Sequence, residues 1–202
     1  VGTPLPGTEI KIADDGEVLI RGPQIFQGYQ NNPEATAEVL DAEGWFHSGD
    51  LGELDKQGFL TITGRKKEII VTAGGKNVSP AALEDPLRSH PLISQIVAVG
   101  DQKPFIGALI TLDAEMLPAW LKAHNLPVMG VVEAAKHPGV LASLERAIER
   151  TNKKVSRAES IRKFSVVNGD FSVENGLLTP SLKVKRDVVA KRYTNEIENL
   201  YA

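Results

Sequence analysis

The character of the sequence changes at the charged cluster Arg65-Lys66-Lys67-Glu68, and this change divides the chain of 202 residues. Before the cluster, short β-rich runs flank the turns Asp14-Asp15-Gly16 and Asp55-Lys56-Gln57-Gly58, a spacing that predicts two β-hairpins. A short helix is predicted after Asn32, because Pro33 suits the first position of a helix. We therefore expect residues 1–66 to form a β-hairpin-rich segment.

After the cluster, strands alternate with helices. The sequence predicts strands over Ile69–Thr72, Ile93–Val99, Phe105–Leu112 and Ile161–Val167. Helices are predicted from Ser79 to about His90, over Ala114–His124, from Pro138 with an apolar stripe of Leu141, Leu144, Ile148 and Val155, and over Asp187–Tyr201. Asn168–Thr179 is expected to be a polar loop. Residues 67–202 should therefore form a small α+β domain, with a three-stranded sheet packed by helices.

Composition and charge argue against several classes of function. The net charge of -3 does not favour a nucleic-acid partner, and the absence of cysteine removes disulfides, thiolate metal sites and cysteine nucleophiles. No apolar run is long enough to span a bilayer, and the N-terminus lacks a signal peptide. We expect a cytoplasmic protein, with peripheral membrane association left open. The opening Val1-Gly2-Thr3-Pro4, without a start methionine, predicts a fragment of a longer protein.

Two residues near the end of the first segment could bind a nucleotide. The carboxylate of Asp50, in the run Ser48-Gly49-Asp50, can accept hydrogen bonds from the two hydroxyls of a ribose, and the sequence predicts a tight turn there. Arg65 follows a predicted strand and could bind ribose or phosphate oxygens. The alternatives are that Asp50 is only a turn residue and that Arg65 belongs to a solvated charge run.

Two further segments could contribute to a site. The turn with Gly74, Gly75 and Lys76 could bring backbone N–H groups close to a ligand, although a turn also needs glycine for its own conformation. The loop with Lys183 and Lys185 could carry an ammonium group into an active site, or it could be a solvated basic start of a helix. Histidine spacing typical of metal sites, a serine nucleophile elbow and a P-loop are all absent.

In their order and spacing, these segments resemble the adenylate-forming (AMP-binding) superfamily. The matching segments are Gly22–Asn32 with the family's Arg-Gly-Pro…Gly-Tyr stretch, Gly44–Gly52 with its Gly-Trp-x-x-Thr-Gly-Asp motif, and Gly64–Glu84 with its Gly-Arg-x-Lys…Gly…Glu motif. Leu178–Arg186 resembles the Thr-Pro-Thr-x-Lys-x-Lys-Arg version found in long-chain acyl-CoA synthetases. The stretch from Asp113 to Arg157 is also similar in length to the long-chain class. The chain thus resembles the C-terminal part of a long-chain fatty acid–CoA ligase.

The resemblance implies a role for each matching residue. Residues 1–66 would be the end of the large AMP-binding domain and residues 67–202 the mobile C-terminal domain. Asp50, Ile62 and Arg65 would bind the nucleotide, and Lys67 would be the hinge between the two catalytic states. Gly74, Gly75 and Lys76 would bind CoA in the second of these states. Lys183 would be the catalytic lysine of adenylation, although the usual glycine before it is replaced by Leu182, and Lys185 is the alternative.

The reaction implied has two steps, with ATP, CoA and Mg²⁺ as cofactors and a fatty acid as substrate. The acid and ATP give acyl-AMP and pyrophosphate, and the CoA thiol then displaces AMP. We expect the Mg²⁺ ligands to lie in the missing N-terminal domain, which would also be the chain's partner, so the fragment alone should be inactive. The alternatives are a ligase for another carboxylate or for a carrier protein, and a non-catalytic interaction module; the oligomeric state is open.

Overall fold

The computed structural model describes residues 1–202, which fold as two compact units, residues 1–69 and 70–202. The first unit contains one antiparallel sheet whose four strands are neighbours in the order of the sequence. These strands are β1 (Glu9–Ile12), β2 (Glu17–Arg21), β3 (Phe46–Leu54) and β4 (Leu60–Arg65). The two hairpins expected from the sequence are thereby confirmed as β1–β2 and β3–β4.

The short helix predicted after Asn32 is also present, as α1 (Pro33–Val39). The Asn32 side-chain oxygen accepts a hydrogen bond from the Ala35 backbone N–H at 3.0 Å, which satisfies one of the unpaired donors at the helix start. Pro33 occupies the first turn, where its missing N–H costs nothing. Local sequence therefore accounts for where this helix begins.

The tight turn predicted at Gly49-Asp50 is wrong, because these residues lie inside β3. The register of β2 and β3 shifts between the pairs Leu19–His47 and Glu17–Leu51. Over this interval β3 advances by four residues while β2 advances by only two. The extra residues form a β-bulge, and Gly49 takes the positive φ of +71° that the bulge requires. Glycine is thus needed here for a bend within a strand, not for a chain reversal.

The second unit is built on a three-stranded sheet of β7 (Ile93–Val99), β8 (Ile106–Leu112) and β9 (Ile161–Val166) in that order. The pair β7–β8 is antiparallel and the pair β8–β9 is parallel. A separate hairpin consists of β5 (Ile70–Val71) and β6 (Asn77–Val78). The helices are α2 (Pro80–Arg88), α3 (Leu117–Ala123), α4 (Val131–Ala134), α5 (Pro138–Asn152), α6 (Arg186–Arg192) and α7 (Thr194–Tyr201). The expected three-stranded sheet packed by helices is confirmed.

Helices cover both faces of this sheet, which explains why every residue of β8 is buried. On one face, Ile96 and Ile110 join a cluster that includes Leu83 of α2 and Leu144 of α5. On the other face, side chains of β7 and β8 pack with residues of α6 and α7, namely Val97, Leu109, Val189 and Leu200. Alternation along the strands therefore divides the core into two layers.

Several predicted boundaries are wrong. α5 ends at Asn152, so Val155 lies beyond it, and α3 begins at Leu117 rather than Ala114. The predicted helix Asp187–Tyr201 is two helices, because the backbone of Tyr193 leaves helical geometry at φ -106° and ψ 31°. The loop predicted to be polar over Asn168–Thr179 is anchored in the core by three buried side chains, those of Phe171, Leu177 and Leu178. No helix is both long and apolar enough to cross a membrane.

Candidate functional site

Asp50 and Arg65 are brought together as partners on the neighbouring strands β3 and β4. Arg65 Nε donates to Asp50 Oδ1 at 3.0 Å, and the two side chains are about half and one-third exposed. An ion pair of this exposure adds little to stability, so its main effect is to hold the carboxylate and the guanidinium side by side. The Asp50 backbone N–H also donates to the Ser48 hydroxyl at 3.1 Å, which stabilises the bulge.

The bulge is held by Glu17, a buried carboxylate whose side chain is 6 % exposed. Glu17 Oε1 accepts a hydrogen bond from the Gly49 N–H at 2.8 Å, and Oε2 accepts one from Lys66 Nζ at 2.9 Å. The ring Nδ1 of His47 lies 3.2 Å from the same Oε2. One side chain therefore connects β2, the bulge of β3 and the residue after β4.

These contacts control the ionisation of the cluster. Burial would raise the pKa of Glu17, but hydrogen bonds from Lys66, Gly49 and His47 outweigh it and hold the pKa below its ordinary value. The pKa of Lys66 is raised, chiefly by its hydrogen bond to Asp15 and then by that to Glu17. Glu17 and Lys66 are consequently charged together at neutral pH.

Glu17 is a site residue that the sequence analysis did not identify. Its partners His47, Gly49 and Lys66 lie 30, 32 and 49 positions away in the sequence. An acid at the start of a strand usually faces solvent, and no local pattern indicates that this one turns inward. Only the pairing of the three strands reveals its role.

A cleft of about 680 Å³ opens beside this cluster in the first unit. Its lining includes Glu17, Tyr29, Phe46, His47, Gly49, Arg65, Lys66 and Lys67. Of the predicted nucleotide-binding residues, Arg65 lines the cleft. Asp50 is not part of the lining, but its carboxylate contacts Arg65. Ile62 lies outside the lining and leaves 42 % of its surface exposed on β4. Lys67 lies in the single turn of 3-10 helix, Lys66–Glu68, that follows β4.

The predicted CoA-binding turn joins β5 and β6 in the second unit. The Thr72 N–H donates to the Lys76 carbonyl at 3.0 Å, and the Gly75 N–H donates to the Thr72 carbonyl at 2.8 Å. Gly75 has a φ of +76°, so glycine is required here by the turn itself. A Cβ at Gly74 or Gly75 would meet no atom closer than 4.0 Å, which leaves this face of the turn open to a ligand.

Lys76 is held by a carboxylate on another loop. Lys76 Nζ lies 3.2 Å from Glu159 Oε1, and Glu159 Oε2 accepts a hydrogen bond from the Ser156 N–H at 2.9 Å. The pKa of Glu159 is lowered by the hydrogen bonds from Ser156 first and then by Lys76. The ammonium group of Lys76 is therefore paired with a carboxylate beside the open turn.

Lys183 lies on a turn of the same construction. The Thr179 N–H donates to the Lys183 carbonyl and the Leu182 N–H donates to the Thr179 carbonyl, both at 2.8 Å. In both turns a threonine hydroxyl also accepts from the lysine N–H, at 3.2 Å for Thr72 and Lys76 and at 3.1 Å for Thr179 and Lys183. Both turns therefore present a lysine directly after a residue in the left-handed conformation.

Leu182 takes the place that Gly75 has in the first turn. Its φ is +59° and its side chain is exposed, with 68 % of its surface in solvent. A leucine in this conformation costs about 1–2 kcal/mol relative to a right-handed one. This strain explains why glycine suits the position. Lys185, the alternative to Lys183, is also exposed and directly precedes α6.

No group of three or more His, Cys, Asp or Glu side chains is arranged to hold a metal ion. The polar groups described above are instead of the kind that binds hydroxyls and phosphates: a carboxylate, a guanidinium and lysines on open turns.

Comparison with known proteins gives these residues a family context. A sequence model of the AMP-binding enzyme C-terminal domain matches residues 67–202. The chain is 56% identical over its whole length to "Long-chain-fatty-acid--CoA ligase FadD15" of Mycobacterium tuberculosis and covers 34% of that protein. It is 40% identical over 93% of its length to "Long-chain-fatty-acid--CoA ligase ACSBG2" of Gallus gallus and covers 27% of it. The chain thus spans about a third of the length of the curated relatives it matches.

Solved structures show the same fold. The adenylation domain of a carboxylic acid reductase from Segniliparus rugosus, in complex with AMP and a carboxylic acid, superposes with a TM-score of 0.77 at 23% identity, covering 98% of this chain and 32% of its own. O-succinylbenzoate CoA synthetase from Bacillus subtilis, in complex with ATP and magnesium ion, gives a TM-score of 0.63 at 26% identity, covering 92% and 34%. With the family model matched over residues 67–202, the chain belongs to the AMP-binding enzyme C-terminal domain family.

Proposed function

We propose that this chain is the C-terminal part of an ATP-dependent long-chain fatty acid–CoA ligase. The observation that carries the proposal is the alignment of the whole chain, at 56% identity, with a protein named as such a ligase. The ligase would join a fatty acid to ATP, releasing pyrophosphate and forming acyl-AMP. The CoA thiol would then attack the acyl carbon, form the thioester and release AMP.

In the first step, Asp50 would accept hydrogen bonds from the ribose hydroxyls and Arg65 would contact ribose or phosphate. Their ion pair at 3.0 Å supports this assignment, because it places one acceptor and one cation next to each other on fixed strands. The exposed apolar side chain of Ile62, on the same strand as Arg65, would lie against the nucleoside. Lys183 would neutralise the negative charge that develops between carboxylate and α-phosphate.

In the second step, the turn of Gly74, Gly75 and Lys76 would contact CoA. The open face of the turn supports a close approach by an extended chain such as pantetheine, and Lys76 would serve a phosphate group. Lys67 would be the hinge about which the domain rotates between the two steps; its place in a short turn directly after β4 supports this. Mg²⁺ would neutralise charge on the phosphates of ATP, and we assign no ligand for it to this chain.

The nucleotide assignment can be tested with Asp50→Ala in the full-length ligase that contains this chain. Removing the carboxylate should raise KM for ATP in acyl-AMP formation by about 10- to 100-fold, because each hydrogen bond to a charged group contributes about 1.5–3 kcal/mol. Steady-state pyrophosphate release at varied ATP concentration measures the change.

Glu53→Ala provides the matched control, since Glu53 is an exposed acid on the same strand three residues further on. It should leave KM for ATP unchanged. If Asp50→Ala and Glu53→Ala gave the same KM as the unmodified ligase, Asp50 would not bind the ribose and this part of the proposal would be wrong.

A further inference from the structure

The turn of residues 179–183 is called the Lys183 turn below. A buried carboxylate in α2 forms hydrogen bonds with the chain segment that follows this turn. Glu84 is only 1 % exposed, and its two oxygens face the guanidinium of Arg186. Arg186 Nη1 donates to Oε1 at 2.8 Å and Arg186 Nη2 donates to Oε2 at 2.6 Å. This is the paired geometry in which arginine binds a carboxylate most specifically.

Two other groups complete the surroundings of Glu84. Oε1 accepts a hydrogen bond from the Ala98 N–H of β7 at 2.7 Å, and Oε2 accepts one from Arg88 Nη2 at 3.2 Å. Arg88 is 44% exposed and pairs as well with Asp85 on the same helix. The carboxylate therefore connects three elements, α2, β7 and the start of α6, and Arg186 is its most buried cationic partner.

The position of Arg186 is not explained by the helix it begins. A cation in the first turn of a helix faces the positive end of the helix dipole, where acidic residues are favoured. Buried ion pairs also add little net stability compared with apolar packing, and their best-attested role is to fix one arrangement of the chain. The Glu84 pair offsets the unfavourable position of Arg186 and fixes the start of α6.

The segment between the Lys183 turn and Arg186 is held on both sides. Leu178 and Val184 form an isolated antiparallel bridge, and the Lys185 N–H donates to the Leu177 carbonyl at 2.8 Å. Lys183 therefore lies three residues before Arg186, which is bonded to α2, and the residues between them have little conformational freedom. The helix α2 itself begins two residues after β6, the strand that leaves the Lys76 turn.

We infer that Glu84 and Arg186 are positioning residues that hold the Lys183 turn in its catalytic place. The inference rests on the proposed function, because it gives Arg186 an effect only through Lys183. Loss of the anchor should let the turn shift, and a displacement on the order of 1 Å at a reacting group can lower a rate by about 100-fold.

The test uses the full-length ligase with Arg186→Gln, which removes the charge and the paired geometry. Acyl-AMP formation should fall by about 10- to 100-fold, while thioester formation from supplied acyl-AMP should change by less than about twofold. Arg186→Lys, which keeps one cation opposite Glu84, should recover part of the adenylation rate. Arg88→Gln is the matched control, since Arg88 contacts the same carboxylate from outside the Lys183 segment, and it should change neither step.

A double variant separates positioning from general loss of structure. In a Lys183→Ala background, Arg186→Gln should cause no further loss of acyl-AMP formation, because residues that act as one unit are not additive. An additional loss of the same size as in the unmodified ligase would overturn the inference, as would an equal fall of both steps in Arg186→Lys. If Arg186→Gln does not fold, Arg186→Lys alone and in the Lys183→Ala background decides the question.

The outcomes also separate this inference from the proposed function. If Lys183→Ala leaves acyl-AMP formation intact, the assignment of Lys183 fails and the inference fails with it. If Lys183→Ala abolishes that step but Arg186→Gln and Arg186→Lys do not affect it, only the positioning role is wrong.

Discussion

Lys183→Ala in the full-length ligase should lower the rate of acyl-AMP formation by about 10²- to 10³-fold, the usual cost of removing one group that stabilises charge in a transition state. Thioester formation from supplied acyl-AMP should be nearly unchanged, because the lysine would act only in the first step. The two steps can be measured separately, by pyrophosphate release and by the CoA thioester formed from purified acyl-AMP.

Lys185→Ala is the control for this prediction, since Lys185 is the same residue type two positions along the same exposed segment. Its variant should keep most of the adenylation rate. The reverse result, in which Lys185→Ala loses acyl-AMP formation and Lys183→Ala retains it, would assign the catalytic role to Lys185. Equal loss of both steps in Lys183→Ala would contradict a role confined to adenylation.

Glu17→Ala should destabilise the unit of residues 1–69 by about 1–3 kcal/mol, because the Gly49 N–H in the bulge would lose its acceptor and Lys66 one of its two carboxylate partners. Amide hydrogen exchange in the full-length ligase should show the loss first at Gly49 and Asp50. Exposed Glu53→Ala should leave exchange at those amides unchanged. Full retention of Gly49 protection in Glu17→Ala would contradict the role assigned to Glu17.

The same carboxylate predicts a pH dependence. The pKa of Glu17 in the folded chain lies below its ordinary value of 4.5, so its contribution to stability is fully present above that value. The contribution is lost as the pH falls through the lowered pKa of the folded state. The stability difference between the unmodified ligase and Glu17→Ala should therefore be constant near neutral pH and shrink in acid.

Much of the fold could be predicted from the sequence because the signals are local. Turn residues define both hairpins of the first unit, and Asn32 with Pro33 defines the start of α1. The run that forms β8 is almost continuously apolar, as expected for a strand covered on both faces, and the second half of β7 has the same character. The predicted helix boundaries were wrong where tertiary contacts determine them. At Tyr193, for example, the one predicted helix is divided into two.

The resemblance predicts the candidate site residues, but not the side chains that hold them in place. Motif spacing pointed to Asp50, Arg65 and Lys183, and the structure places the first two in contact. The carboxylates that hold these segments, Glu17 and Glu84, bind partners up to 49 and 102 positions away, which no local pattern can indicate. The bulge at Gly49 was mistaken for a turn for the same reason, because only pairing with β2 distinguishes the two.

We propose that this chain is part of a ligase that activates a fatty acid through acyl-AMP. The most direct test is product analysis of the full-length protein with palmitate, ATP and CoA, with the chain of 202 residues alone as the control. We predict palmitoyl-CoA, AMP and pyrophosphate in equal amounts from the full-length protein and no thioester from the chain alone. Formation of ADP, transfer only to a phosphopantetheinyl carrier protein, or thioester formation by the isolated chain would contradict this account.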